Sequence, residues 1–155
     1  MDGSCDSRHP LVGLVDEISR LNGRLKSAFA GTRRSVGLGE SEMMVLNAVV
    51  EAGPAPTVPQ IGRSLGHPRQ LIQRAANALI AADLIETRAN PDHKRAALLH
   101  ATAQGIALKR EADARADALA QALSASLDLA GVSSATTALR ALRKQLEAGL
   151  RGGED

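Results

Sequence analysis

Five long hydrogen-bonding side chains fall on one side of a short predicted helix. Their spacing of i, i+1, i+4, i+5 and i+8 places them on a single stripe that points away from the apolar face. Arginine can pair in bidentate fashion with guanine O6 and N7, and glutamine or asparagine can do so with adenine N6 and N7. A solvated face without a ligand is the alternative. The stripe, which is suited to reading base edges in a major groove, consists of Arg69, Gln70, Gln73, Arg74 and Asn77.

Two short helices and a tight turn must hold this stripe. Thr57 and Gln60 have the spacing of a capping box that begins the first helix, and Gly66 ends it. Pro68 suits the first turn of the second helix, because a proline there loses no intrahelical hydrogen bond. The break is therefore predicted at Gly66 and His67. The apolar positions that pack the helices together are Val58, Ile61 and Leu65 in the first and Ile72, Ala75, Ala76 and Leu79 in the second.

A basic hairpin is predicted directly after the second helix. Asn90, Pro91 and Asp92 favour a turn between two short strands. Lys94 and Arg95 at the tip would reach phosphates or an adjacent minor groove. We expect Asp92 to hold the loop's shape by pairing with a neighbouring cation or backbone amide. An exposed charged hairpin without a ligand is the alternative. The predicted strands are residues 84–88 and 96–100.

This segment resembles the MarR family (multiple antibiotic resistance regulator) of winged helix-turn-helix transcription factors. The wing motif of that family is Asp-x-Arg-Arg, followed by a Leu-Thr that opens the next helix and by a glycine three residues later. The chain matches the motif at Asp92, Arg95, Thr102 and Gly105. Further matching positions are Leu38, Glu42, Gly66, Arg69, Gln70, Arg74, Leu79, Leu84, Ile85, Asn90, Pro91 and His93. The departures are Lys94 for arginine, Ala101 for leucine, Asp83 for glycine, Gly39 for threonine and Pro68 for serine.

The flanking segments predict helices with exposed apolar stripes. Leucine, valine and isoleucine recur at intervals of three and four from Leu11 to Phe29. Near the other end a second stripe is formed by Leu139, Leu142, Leu146 and Leu150. The rest of the chain is too small to cover the apolar stripes of both terminal helices. We therefore expect these stripes to pack against a partner chain. Between them we predict a mostly buried helix from about residue 40 to 52, an alanine-rich helix from Thr102 to about residue 126, and a last helix from about residue 133.

The resemblance implies a mainly α fold with a small β wing, in which N- and C-terminal dimerisation helices flank a winged helix-turn-helix. It implies a single domain over residues 1–155, with a DNA-binding part at 36–102 and dimerisation helices at 10–30 and 103–149. It also implies a homodimer whose recognition helices face half-sites about one duplex turn apart, at ~10 bp. Repression and release by a small-molecule effector are the commoner family mechanism.

The candidate functional residues follow from the stripe, the wing and the resemblance. A ligand pocket between the dimerisation helices and the DNA-binding part is implied by the resemblance alone, and its candidate lining is equally well explained as core. The candidate DNA-binding residues are Thr57, Pro68, Arg69, Gln70, Gln73, Arg74, Asn77, His93, Lys94 and Arg95. The candidate ligand-binding residues are Phe29, Met43, Leu46 and Leu108.

Charge and composition narrow the classes of function. The net charge is only +2, but Thr57 to Thr102 carries six Lys or Arg against three Asp or Glu, a net charge of +3. The excess positive charge therefore lies in the proposed DNA-binding part. No apolar run approaches the ~20 residues of a membrane-spanning helix, so we expect a cytoplasmic protein.

The residue content also bears on other classes of function. Cys5 is the single cysteine of the sequence, so an internal disulfide is excluded. The four histidines lack metal-ligand spacing, and neither a metal nor a cofactor is expected. The sequence has neither a glycine-rich phosphate loop nor a nucleophile-elbow serine, so we do not expect an enzyme. Two alternatives stay open: a winged-helix module that binds only proteins, and a regulator that senses oxidants through Cys5, which we expect to lie in the N-terminal tail.

Overall fold

The computed structural model describes residues 9–151 of the 155-residue chain. It is mostly helical with one small antiparallel sheet, which confirms the predicted fold class. The chain divides into two compact units, Met1–Ala116 and Asp117–Asp155. The elements of the described part are α1 (Pro10–Ser35), α2 (Glu40–Glu51), α3 (Val58–Leu65), α4 (Arg69–Ala81), β1 (Ile85–Arg88), β2 (Leu98–Ala101), α5 (Ala103–Ser124) and α6 (Leu129–Arg151).

The tight turn between α3 and α4 lies where the sequence predicted it. Thr57 caps α3: its hydroxyl accepts a 3.4 Å hydrogen bond from Gln60 N, and its own N–H donates to Gln60 Oε1 at 2.8 Å. Gly66 ends α3 with a positive φ of 66°, and His67 N donates to Gly62 O at 2.9 Å. Pro68 becomes the N-cap of α4, one residue outside the helix.

The core of the first unit forms where α2 packs against α4 and against β2. Its largest fully buried side chains are aliphatic, and burying each one contributes ~1.5 to 3 kcal/mol. The prediction of a mostly buried central helix is confirmed: Met43, Val45, Leu46 and Val49 of α2 are buried in this core, and Met44, Ala48 and Val50 pack against it. The largest buried side chains are Val45, Leu46, Ile72, Leu79 and Ile85.

The hairpin is short and tied to the preceding loop. β1 and β2 pair antiparallel, with Ile85 opposite Ala101 and Arg88 opposite Leu98. Each strand begins one or two residues later than predicted. Leu99 N donates to Pro56 O at 2.8 Å, so the hairpin also bonds to the segment that leads into α3. The base of the wing is thereby fixed to the helix-turn-helix.

The start of α5 is held against the exit of α4 by Thr102. Its hydroxyl donates to Asp83 O at 2.7 Å and accepts from Gly105 N at 3.0 Å. Thr102 N donates to Leu84 O at 3.1 Å, which brings the first turn of α5 directly onto the backbone of Leu84. Gly105 is buried at this contact, and it has no room for a side chain.

Asp83 ends α4 in a left-handed conformation, with a φ of 57°. The N–H of Asp83 donates to Ile80 O at 3.0 Å and that of Leu84 to Leu79 O at 2.9 Å, the two bonds of a Schellman motif. Glycine adopts this φ without the steric cost that Cβ imposes. The resemblance placed a glycine here for the same reason.

We expect Asp83→Gly to raise the free energy of unfolding by about 0.5 to 1 kcal/mol, because it removes that steric cost. Urea unfolding at a fixed protein concentration measures the change. Ala82→Gly is the matched control: Ala82 has a φ of −88°, where glycine brings no relief, so this variant should lose stability. An Asp83→Gly variant no more stable than the parent would contradict the account.

A buried lysine joins α2 to α5 within the first unit. Lys109 is 7% exposed, and its Nζ lies 2.6 Å from Asp113 Oδ2 and 3.3 Å from Glu51 Oε1. Burial lowers the pKa of Lys109, but the hydrogen bonds to Asp113 and Glu51 outweigh it and raise that pKa above its ordinary value. The lysine therefore stays charged and links the end of α2 to the second turn of α5.

Both α1 and α6 expose apolar stripes. On α1, Leu11, Val15 and Ile18 are 41–55% exposed, and the stripe continues through Leu21 and Leu25. This helix ends at Ser35, five residues beyond the predicted limit. No helix among the described residues is long and apolar enough to cross a membrane.

The second unit begins its helix earlier than the sequence predicted. α6 starts at Leu129 rather than near residue 133, because Asp128 caps it: Ala130 N donates to Asp128 Oδ1 at 3.1 Å and Val132 N to Asp128 O at 2.9 Å. Apolar side chains of α6 are again exposed, and they are Leu129, Val132, Leu139, Leu142 and Leu146.

Candidate nucleic-acid interface

The predicted base-reading stripe lies on the exposed face of α4. Ile72 and Ala76 are fully buried on the opposite face, which fixes the rotation of the helix. Gln73 Nε2 donates to Asn77 Oδ1 at 2.9 Å, so these two amides are already ordered relative to each other. The exposed residues are Arg69, Gln70, Gln73, Arg74 and Asn77. Within residues 9–151, the side chains of Arg69, Gln70 and Arg74 have no hydrogen-bond or ion-pair partner, so they are available to a ligand.

Two predicted contact residues occupy the ends of the helices. Pro68 is exposed at the N-cap of α4, next to the stripe. Thr57 is only 5% exposed, and its hydroxyl is held in the α3 capping box. Thr57 therefore positions α3, whereas the exposed Pro68 is the more accessible of the two to a nucleic acid.

The wing loop is organised by Asn90, which corrects the expectation for Asp92. Asn90 Nδ2 donates to Ala96 O at 2.9 Å, and Asn90 Oδ1 accepts from Asp92 N at 3.0 Å. An amide can donate and accept at once, whereas a carboxylate can only accept, so asparagine alone can bridge both sides of the loop. The Asp92 carboxylate has no hydrogen-bond or ion-pair partner in the part of the chain that the structure describes.

The tip of the wing is basic and exposed. His93, Lys94 and Arg95 are all exposed, and they line a depression of about 1260 Å³ between the wing and α3. The other wall includes Pro59, Gln60 and other residues of α3, and the floor includes the loop before α3. The wing and the stripe on α4 therefore belong to one folded module, whose basic side chains are exposed on its surface.

The candidate ligand-binding residues divide into two pairs. Met43 and Leu46 are 8% and 0% exposed and belong to the core, so a ligand that touched them would have to displace core packing. Phe29 and Leu108 are half-buried, and Leu108 packs against the core. A ligand could therefore reach Phe29 and Leu108 more easily than Met43 and Leu46.

Among the described residues no three His, Cys, Asp or Glu side chains are grouped as a metal site would require. Cys5 lies outside the described residues.

Arg63 is a site residue that the sequence analysis missed. It lies on the exposed face of α3, while Val58, Ile61 and Gly62 form the buried face. The helical period that placed Ile61 inside would also have placed Arg63 outside, three residues after Gln60. The wing and the first turn of α4 lie on either side of it.

Comparison with known proteins gives a consistent result. A model of the MarR family matches residues 36–96. An uncharacterized protein of Mycobacterium tuberculosis H37Rv is 32% identical over 138 residues, which cover 89% of this chain and 95% of the relative.

Two solved structures share the fold. A mutant of E. coli MarR complexed with operator DNA superposes with a TM-score of 0.72 at 19% identity, covering 85% of this chain and 94% of that one. CouR from Rhodococcus jostii RHA1 bound to p-coumaroyl-CoA gives a TM-score of 0.71 at 21% identity, covering 84% and 90%.

Proposed function

The chain belongs to the MarR family of winged-helix transcriptional regulators, and from this we propose that it is a repressor that binds double-stranded DNA sequence-specifically. The observation that carries the proposal is the outward stripe of unpaired Arg69, Gln70 and Arg74 on α4, set beside a basic wing. Long polar side chains on one helix face fit the major groove, and the wing fits the adjacent backbone or minor groove. The E. coli neighbour was solved with operator DNA, which supports the same use of the fold here. Such a regulator would work in the cytoplasm.

We propose that two copies of the chain form a homodimer. The apolar stripes of α1 and α6 are exposed to about half their area, and burying them against a second copy gains ~25 cal/mol per Å² of apolar surface. Isolated exposed leucines are ordinary, but a continuous stripe along a helix marks an interaction surface. A two-fold dimer would present two α4 helices to the half-sites of a pseudopalindromic operator. In this proposal residues 10–30 and 103–149 dimerise and residues 36–102 bind DNA.

We also propose release by a small-molecule effector. The CouR neighbour was solved with p-coumaroyl-CoA, so this fold can hold a small ligand. In this chain Phe29 and Leu108 would line the entrance, with Met43 and Leu46 behind them. Linkage requires such a ligand to bind the DNA-free protein more tightly than the DNA-bound protein.

A mobility-shift titration with the DNA upstream of the protein's own gene tests the regulator proposal. We expect a retarded complex with two chains per duplex, whose affinity exceeds that for unrelated DNA by ~10³ or more and falls steeply between 50 and 200 mM salt. Mass determination of the complex gives the stoichiometry. Equal, weak binding to every duplex would contradict sequence-specific regulation and would favour a module that binds proteins.

A further inference from the structure

The guanidinium of Arg63 has no partner in the described part of the chain, although its backbone is held firmly. The neighbouring Gly62 packs closely against the turn: a Cβ there would lie 3.1 Å from His67 O. His67 N also donates to Gly62 O at 2.9 Å. Arg63 therefore has a fixed position relative to the start of α4, while its side chain is exposed and free to bind.

Arg63 stands between two depressions on the surface of the DNA-binding part. The larger, of about 1260 Å³, lies between α3 and the wing, and the smaller, of about 320 Å³, lies between α3, the turn and Arg69. Pro59 and Arg63 line both. The remaining basic residues around them are His93, Lys94 and Arg95 in the larger depression and His67 and Arg69 in the smaller.

The net positive charge of this surface favours the binding of an anion. Of the acidic residues that line the larger depression, Glu51 is paired with Lys109 at 3.3 Å, which leaves Asp92. The smaller depression is lined by no acidic residue. Arginine offers a planar fork that matches two phosphate oxygens, so an unpaired arginine at this position suits a phosphodiester group.

We propose that Arg63 binds a backbone phosphate of the DNA strand that crosses α3 between the wing and α4. The inference rests on the proposed function and adds a positioning residue to it. Phosphate contacts fix register and orientation on the duplex without reading sequence. Because the Gly62 turn joins Arg63 to α4 rigidly, this contact would set how α4 lies in the groove.

The test is a salt titration of binding with Arg63→Ala and Arg63→Lys. We expect Arg63→Ala to weaken binding about tenfold for the operator and for unrelated DNA alike, and to flatten the slope of log K against log salt by ~0.9. Arg63→Lys keeps the charge, so it should retain the slope and lose only part of the affinity. Arg34→Ala is the matched control, since Arg34 is exposed near the end of α1, lies outside the ranges proposed to dimerise and to bind DNA, and lines neither depression. It should bind as the parent does.

Two results would overturn the proposal: parental affinity and slope in Arg63→Ala, or a loss confined to the operator, which would mean that Arg63 reads a base. Circular dichroism and thermal unfolding check that each variant is folded. If the alanine variant is not folded, Arg63→Gln, which removes the charge but keeps a long polar side chain, tests the slope in its place. A parent protein that binds no duplex specifically would contradict the proposed function. Specific binding that Arg74→Ala weakens and Arg63→Ala does not would contradict only the present inference.

Discussion

Gly105→Ala should lower the free energy of unfolding by about 3 kcal/mol. A Cβ on Gly105 would overlap the carbonyl oxygen of Leu84 and lie 2.9 Å from its carbonyl carbon. Overpacking a core costs ~1 to 3 kcal/mol when side chains can shift, and here the obstructing atoms are backbone, so we expect the upper end of that range. Urea unfolding monitored by circular dichroism measures the change, at one fixed protein concentration because dimerisation would add to stability.

Gly23→Ala is the matched control for this prediction. Gly23 lies in the middle of α1, and a Cβ there would meet no atom within 4 Å. Alanine in place of an exposed helical glycine is expected to add about 0.5 to 1 kcal/mol. The two glycine variants should therefore change stability in opposite directions. If Gly105→Ala were as stable as the parent, α5 would have to start further from Leu84 than the structure shows.

The second large effect is expected from Arg74→Ala, which should weaken binding to the operator by ~1 to 3 kcal/mol and leave binding to unrelated DNA almost unchanged. Arg74 is exposed in the middle of the stripe on α4, where a base edge would lie. Arg95→Ala at the wing should instead weaken binding to every duplex and flatten the salt slope by roughly one unit, since a phosphate contact does not depend on sequence.

Fluorescence-anisotropy titrations with operator and scrambled duplexes at three salt concentrations separate the two roles. The specificity ratio should fall in Arg74→Ala and stay constant in Arg95→Ala. Identical behaviour of the two variants would show that their roles are wrongly assigned. Because both side chains are exposed, neither variant should lose stability beyond about 0.5 kcal/mol.

The positions of α3 and of the turn that follows it were predictable because local chemistry marks the ends of this helix. Thr57 with Gln60 begins α3, and Gly66 ends it, just as the sequence indicated. Each signal acts through the backbone of its own helix, so it needs no knowledge of the rest of the fold. The orientation of the α4 stripe was predictable for a related reason: the apolar period that buries Ile72 also turns Arg74 outward.

Features that depend on distant partners or on a single atom type were not predicted. The buried charge of Lys109 is paired with Asp113, four residues along the same helix, and with Glu51, which is 58 positions away in the sequence. No local pattern announces the contact with Glu51. The wing loop is held by the side-chain amide of Asn90 and not by the carboxylate of Asp92. The wing motif of the resembled family did not indicate which of the two residues would do so. The start of α6 was predicted four residues too late, because the cap at Asp128 decides the boundary and was not recognised in the sequence.

The bond from Leu99 N to Pro56 O has a consequence for regulation. It anchors the hairpin to the loop that leads into α3, and the Gly62 turn in turn anchors α3 to α4. These contacts oppose bending between the wing and α4, so the proposed effector would not act by bending one against the other. The effector could instead change the distance between the DNA-binding parts of the two protomers in the proposed dimer. A bound inducer should then leave the contacts within each DNA-binding part intact, while the two parts together no longer fit the spacing of the operator.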